Sequence, residues 1–350
     1  MGRVRVRFAP SPTGSLHLGN ALVAVANRTF ADRHGGDLLL RIDDTDRTRE
    51  MDEGERLILE DLEWLGVRWE RGPVRQSDRA GIYTSALRAL LRGEQAREDD
   101  EGAIRLGRTT LVRPDGSVTY QLASVVDDLA FGITHVIRGS DHRPNEEVQS
   151  RIAKALGGHF PEVVYVGLLV GEDGKKLSKR HGAVSVADLR AEGIPAGAVR
   201  AYLEELGTPS HDVRLDRSRL GRLAVEAIGA MDDAELARMC EAPLSVVPAL
   251  RGARTLVEAR AFAAQILAPI AWVRQAGDGP TLERFLELRK GVGDALDEAG
   301  ARAIVRELKA VGGDLKVLRR ALTGAEHGPE LWTVLVALPL EETLRRGASG

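Results

Sequence analysis

Two short motifs hold the residues most able to do chemistry: APSPTGSLHLGN at 9 to 20 and GKKLSKRHG at 174 to 182. In the first, Gly14 and Gly19 let the backbone approach a ligand, and His17 with the following first-turn amides would face an anion at the positive end of a helix. In the second, Lys175, Lys176, Lys179 and Arg180 follow Gly171 and Gly174. Such a loop could swing over a triphosphate and neutralise departing pyrophosphate, lysine acting as a point charge. Taken alone, the first motif is equally a turn with a helix start, and the second a solvated basic loop. Together and in this order they narrow the chemistry to a nucleotide-dependent ligase. Arg7 and Arg138 each follow a strand-like run, and a guanidinium reads a carboxylate through two parallel hydrogen bonds, so the pair points to an acidic substrate. In isolation each would be a surface arginine. Asp43-Asp44-Thr45-Asp46, at the end of another apolar run, could reach a substrate amine or a metal, or could simply cap a helix.

The elements that must position these residues can be read from periodicity. Val4, Val6 and Phe8 alternate with Arg3, Arg5 and Arg7, which predicts a strand ended by Pro10 and Pro12. Leu18, Leu22, Val25 and Ala26 recur at helical spacing, predicting a helix from near Leu16 that Gly35-Gly36 closes. Leu38 to Ile42 reads as a second, buried strand, and a charged helix is expected from about Asp52 to Leu65. This alternation belongs to a doubly wound α/β sheet, where a first strand-to-helix turn is a nucleotide site. After a helix at Tyr83 to Leu91, a polar excursion from 93 to 118 interrupts the alternation, with Asp115-Gly116 as a hairpin turn signal. Strands and helices resume with Thr119 to Val126, Ile133 to Arg138, a helix near Glu146 to Leu156, and the apolar run Val163 to Val170. Beyond about Gly182 the composition turns to Ala, Leu, Arg and Glu at helical spacing, as in Leu256, Ala259, Phe262, Ala263 and Ile266, with pairs such as Gly279-Pro280 as separators.

At 350 residues the chain can bury a sizeable core in two or three domains. Hydrophobic content of 43% with 29% charged residues describes a globular protein. A net charge of -3 carries no global nucleic-acid footprint, although a near-neutral body can bear a local basic strip. Cys240 is the single cysteine, which excludes an internal disulfide and a multi-cysteine zinc site and suits a reducing cytoplasm. No signal core or membrane-length apolar run is expected from the residues given.

The chain resembles the class I aminoacyl-tRNA synthetases and, within them, the glutamyl-tRNA synthetase family. RFAPSPTGSLHLGN is similar to that family's HIGH motif and KLSKR at 176 to 180 to its KMSKS motif. LLLRIDDTD, YQLASVVDDLAFGITHVIRGSDH and ALTGAEHGPEL match as well. The resemblance implies a Rossmann-type α/β catalytic core split by a short insertion and followed by an all-α C-terminal region. It divides the chain into a first half-core at 1–92, a reduced acceptor-binding insertion at 93–118, a second half-core with the KLSKR loop at 119–190, a helical connector at 191–245 and a helical anticodon-binding domain at 246–350.

The same resemblance implies that ATP and L-glutamate form glutamyl-adenylate, whose glutamyl group passes to the terminal adenosine of tRNA-Glu, with tRNA-Gln left open as a second acceptor. His17, Lys176 and Lys179 are the implied catalytic residues. Gly19, Asp141, His142, Leu169 and Ser178 would join them around ATP, with Mg²⁺ accompanying the nucleotide and no zinc expected. Arg7, Ala9, Ser11, Asp43, Tyr120, Ser124 and Arg138 would surround glutamate, with Asp43 at the α-ammonium. A cytoplasmic monomer is the family default.

Four departures stand out. The family usually has Glu where this chain has Asp43, and Glu where it has Ser140. The excursion is much shorter than the family's acceptor-binding insertion. The connector after Gly207 is also shortened. Competing readings are an enzyme similar to the synthetase that glutamylates queuosine in tRNA-Asp, a glutamyl transfer to another carrier, and a non-catalytic paralogue. The helical C-terminal half argues against the first, and retention of His17, Lys176, Lys179 and both arginines against the last.

Overall fold

The computed structural model describes residues 3–45, 53–171, 184–268, 270 and 272–348. Lys175, Lys176, Ser178, Lys179 and Arg180 lie outside the described residues, as do Asp46 and the expected helix start at Asp52. The chain divides into two compact units, residues 1–189 with 200–216 and residues 190–199 with 217–350.

In the first unit, β1 (Arg5–Phe8), α1 (Leu18–Arg33) and β2 (Asp37–Ile42) form a parallel β–α–β crossover. All six residues of β2 are buried, as befits an inner strand covered on both faces. α1 starts at Leu18, two residues later than the periodicity suggests. The delay has a backbone cause: the Leu18 amide donates to Val184 O at 3.1 Å and the Val186 amide to Leu16 O at 2.9 Å, so His17 is held extended beside Ser185.

α2 (Gly54–Trp64) leads into β3 (Arg71–Arg75), which pairs parallel with β2. This strand was not expected, because RGPVR is charged, proline-containing and mostly exposed. Those are the marks of an edge strand, where Pro73 removes no inner ladder bond.

After α3 (Ala80–Arg92), the excursion forms an antiparallel sheet of β4 (Arg97–Glu98), β5 (Ile104–Leu106) and β6 (Thr109–Val112). The Asp115-Gly116 turn forms with Gly116 at φ 83, and leads from β6 to a single bridge between Val112 and Val118. Leu106 and Leu111 of this sheet are buried with Leu90, Leu122, Ala123 and Ile152, so the excursion shares the unit's core.

α4 (Tyr120–Ala130), β7 (His135–Gly139), α5 (Asn145–Ala155) and β8 (Glu162–Val166) complete the second half, with β7 and β8 parallel. β7 lies beside β1, where the Thr134 amide donates to Arg5 O at 2.9 Å and the Arg5 amide to Thr134 Oγ1 at 2.9 Å. The spatial order is therefore β3, β2, β1, β7, β8, and the strand order reverses between β1 and β7.

The run Val163 to Val170 is not one strand. It breaks after β8, and β9 (Leu169–Val170) pairs instead with β10 (Val213–Arg214), which follows α6 (Val186–Ala191) and α7 (Ala196–Leu206) along the chain. At the break the Gly167 amide donates to Pro209 O at 2.6 Å, and a Cβ on Gly167 would stand 1.8 Å from the His211 carbonyl oxygen.

The second unit is helical: α8 (Arg217–Ala230), α9 (Asp233–Cys240), α10 (Val247–Leu250), α11 (Leu256–Leu267), α12 (Gly279–Lys290), α13 (Glu298–Ala310), α14 (Leu315–Thr323), α15 (Leu331–Ala337) and α16 (Leu340–Ala348). Side chains of Asp232, Thr255, Asp297 and Asp314 accept first-turn amides of α9, α11, α13 and α14, satisfying donors that a helix start leaves free. Leu256, Ala259, Ala263 and Ile266 point into the core as their spacing predicts, while Phe262 packs half-buried against it. Gly279-Pro280 opens α12 rather than separating helices, with proline in the first turn, where a missing amide costs nothing. No helix among the described residues is long and apolar enough to cross a membrane.

Candidate active site

Open α/β sheets bind ligands outside the carboxyl ends of their strands, at the point where strand order reverses. That point here is the gap between β1 and β7, and a cavity of about 400 Å³ opens over it. Arg7 at the end of β1 and Arg138 at the end of β7 enter it from adjacent strands. Ala9, Ser11, His17, Gly19, Asp43, Tyr120, Asp141, His142 and Leu169 line it as well. Ser124 does not line it. That residue is buried beneath, and its hydroxyl accepts from Arg41 Nη2 at 3.3 Å.

The first motif is shaped from below. Asp61 of α2, 2% exposed, accepts from Ser15 Oγ at 2.7 Å and from the Leu16 amide at 2.8 Å through the same oxygen. α2 approaches so closely that a Cβ on Gly54 would meet Pro12 O at 2.2 Å. These contacts fix the proline loop and aim the first turn of α1 at the cavity. That turn contains no acidic residue, and a Cβ at Gly19 would meet nothing within 4 Å. The helix start is thus an open seat for an anion.

Beneath the cavity lies a buried ionic cluster centred on Arg41, a residue that motif reading did not single out. Arg41, fully buried, donates to Asp43 from Nε at 2.6 Å and from Nη2 at 3.2 Å, and to Asp128 from Nη1 at 2.9 Å. Burial by itself lowers the Arg41 pKa, but Asp43, Asp128 and Asp127 outweigh it and hold the guanidinium charged. Burial lifts the Asp43 carboxyl above its ordinary value, with Arg41 and Arg7 opposing.

Asp127 accepts from Gln76 Nε2 at 2.8 Å, Arg79 Nε at 2.6 Å and Tyr83 Oη at 2.9 Å. Burial first, then the Asp127 charge, pushes the Tyr83 phenol far above its usual range, so it remains a donor. Asp44 turns away and accepts from the Ser77 amide at 2.8 Å and its hydroxyl at 2.6 Å, which gives it the capping part of the acidic run. The one sequence signal for this cluster is an arginine inside an otherwise apolar strand, LLLRI, which has to be paired when buried.

On the β7 side, Arg138 is 4% exposed and donates to Gln149 Oε1 at 2.6 Å and to Tyr165 Oη at 3.3 Å. Tyr165 in turn donates to Glu146 at 2.5 Å. Arg7 has the Asp128 carboxylate 3.5 Å from its Nε. Both guanidiniums are held from behind by hydrogen bonds or charge while lining the cavity, an arrangement suited to a ligand carboxylate.

The lysine-rich residues themselves lie outside the described residues, yet both flanks of that segment are at the site. Leu169 lines the cavity on one side, and on the other Ser185 bridges His17 antiparallel. Among the described residues no group of three or more His, Cys, Asp or Glu could hold a metal ion. What the arrangement offers chemically is a helix terminus for phosphates beside two arginines for a carboxylate.

Comparison with known proteins identifies the family. A family model described as tRNA synthetases class I (E and Q), catalytic domain, matches residues 3–108 and 100–218, in two pieces that meet inside the excursion. The glutamate–tRNA ligase 1 of Rubrobacter xylanophilus is 36% identical over 420 aligned residues, covering 98% of this chain and 96% of that protein. The glutamate–tRNA ligase 1 of Rhodospirillum rubrum is 33% identical, covering 99% of each. Both alignments, of 420 and 447 positions, exceed the 350 residues of this chain, so these relatives carry segments that it lacks. The crystal structure of a glutamate tRNA ligase from Elizabethkingia meningosepticum, in complex with its amino acid, superposes with a TM-score of 0.78 at 22% identity over 99% of this chain and 98% of that one, a likeness of fold.

Proposed function

The chain belongs to the class I tRNA synthetase family whose catalytic domains serve glutamate and glutamine, and from that premise we propose that it is a glutamate–tRNA ligase acting through glutamyl-adenylate. The observation that carries the reading is the meeting of Arg7, Arg138 and the α1 terminus around one cavity. An α-carboxylate oxygen of glutamate attacks the α-phosphorus of ATP, forming the mixed anhydride as pyrophosphate leaves. A ribose hydroxyl of the terminal adenosine of tRNA-Glu then attacks the activated carbonyl, and AMP departs.

Neither step needs a covalent protein intermediate, so the residues act by positioning and charge. His17 and the Gly19 turn receive phosphates. Asp141, His142 and Leu169 frame the nucleotide. Arg7, Tyr120 and Arg138 read the side-chain carboxylate, with Ala9 and Ser11 beside them and Asp43 at the α-ammonium. Lys176 and Lys179 neutralise the charge that develops on the departing phosphates, with Ser178 between them. Mg²⁺ would arrive with ATP, held mainly by phosphate oxygens, as suits a cation that keeps much of its hydration.

The helical residues beyond the core match the relatives along with the core, which favours tRNA-Glu over a core-only glutamyl transfer. Charging of tRNA-Glu, tRNA-Gln and tRNA-Asp with glutamate, together with ATP–pyrophosphate exchange in the presence and absence of each tRNA, tests the proposal. Charging of tRNA-Glu and tRNA-dependent exchange are expected. Strong exchange without tRNA and no charging of tRNA-Glu would overturn it.

A further inference from the structure

The buried cluster beneath the cavity contains three arginines, Arg7, Arg41 and Arg79, and three aspartates, Asp43, Asp127 and Asp128. The two neighbouring aspartates do different work. Asp127 is engaged by Gln76, Arg79 and Tyr83, none of which lines the cavity, and stands 3.8 Å from Arg41 Nε. Asp128, 3% exposed, uses a single oxygen to meet Arg41 Nη1 at 2.9 Å and Arg7 Nε at 3.5 Å. Arg41 then grips both oxygens of Asp43. One carboxylate oxygen therefore stands between the two cavity residues of opposite charge, directly on Arg7 and through Arg41 on Asp43.

We propose that Asp128 is a positioning residue for the amino-acid substrate, setting the spacing between the cation that reads its side-chain carboxylate and the anion that meets its α-ammonium. The inference rests on the functional reading above and adds to it a residue outside the cavity. Asp43 is one methylene shorter than glutamate, so its carboxylate is drawn close to its own strand and into the grip of Arg41. Its direction into the cavity is then set by where Arg41 lies, and Asp128 places Arg41. A neutral amide at 128 keeps the shape but donates as well as accepts, so it cannot serve two guanidiniums from one oxygen with the same charge.

The measurement is tRNA-Glu charging by the full chain, with Michaelis constants for glutamate and ATP determined separately and melting temperatures recorded alongside. Asp128→Asn raises the glutamate KM about tenfold and leaves the ATP KM within about twofold. Asp127→Asn, whose hydrogen-bond partners Gln76, Arg79 and Tyr83 do not line the cavity, lowers the melting temperature while the glutamate KM stays within about twofold. If Asp128→Asn does not accumulate as folded protein, Ser124→Ala, which removes the 3.3 Å bond to Arg41, carries the test and raises the glutamate KM a few-fold. A glutamate KM unchanged in the folded variant, or an ATP KM rising in step with it, overturns the positioning role. Wild-type protein that charges no tRNA-Glu would sink the functional reading and this inference together, whereas charging with an unmoved KM sinks the inference alone.

Discussion

The amide of Leu18 donates to the carbonyl of Val184 at 3.1 Å, which ties the first turn of α1 to a residue just beyond the lysine-rich motif. The two motifs that suggest ATP chemistry are separated by more than 150 residues in sequence, yet Val184 and Ser185, just beyond the later one, lie against Leu18 and His17.

Lys179→Ala should slow tRNA-Glu charging at saturating substrate by about 10²- to 10³-fold, the usual loss on removing one charge-stabilising donor. The glutamate KM should stay within about threefold, because the lost interaction belongs to the transition state. A charging rate near wild type, measured in single turnover, would remove this lysine from the mechanism.

Replacing Arg138 by lysine keeps the charge but loses the planar fork that reaches Gln149 and Tyr165 while facing the cavity. The expected result is a fall of about 10² in kcat/KM for glutamate, with a melting temperature close to wild type. An equal fall in the apparent affinity for ATP would show that the arginine does not read the amino acid.

Gly19→Ala separates folding from binding. A Cβ there meets nothing within 4 Å, and alanine is favoured over glycine in a helix by about 0.5–1 kcal/mol, so stability should hold or rise. The same methyl group stands where phosphate oxygens would approach the backbone, and the ATP KM should rise by about tenfold. An unchanged ATP KM would place the triphosphate elsewhere.

Asp61→Ala deletes the acceptor of both Ser15 and the Leu16 amide. Leaving a buried amide unpaired costs about 1–3 kcal/mol, which urea unfolding should register. Because the proline loop loses its anchor, charging activity should fall before the protein unfolds. Activity that tracks only the folded fraction would make Asp61 purely structural.

In the helical unit, Glu342 accepts from Arg345 at 2.7 and 2.6 Å and from Arg346 at 2.6 Å, and its carboxyl is held down at about 2 from an ordinary 4.5. A depressed carboxylate stabilises the fold above its unfolded value and loses that contribution as pH falls through the folded one. Glu342→Gln should therefore lower the melting temperature at pH 7, with the difference shrinking between about pH 4.5 and pH 2. A difference independent of pH in that window would assign the effect to packing.

Much of the site is legible in the sequence because its parts are local: a strand, two prolines, a helix start and a strand-end arginine each announce themselves within a few residues. What stays hidden depends on distant partners. β3 is an edge strand whose RGPVR reads as loop until β2 is there to pair with it. The break of Val163 to Val170 comes from Pro209 and His211, some 40 residues on. Ser124, matched to the glutamate site by resemblance, sits one layer below it, because Arg41 reaches across from β2 and takes the hydroxyl. Arg41 itself is visible as an arginine in an apolar strand, but Asp128, 87 positions away, can be assigned to it only in three dimensions.

Gly167 and the Pro209 to His211 backbone lie so close that no side chain would fit between them. The wall of the cavity at Gly167 to Leu169 is therefore set by backbone made more than 40 residues later. During synthesis α1, Arg7 and Arg138 are complete well before that backbone emerges from the ribosome. One wall of the candidate site is thus backed by one of the final stretches of the α/β unit to be translated, and a nascent chain released before it would hold both arginines without the backbone that sets this wall.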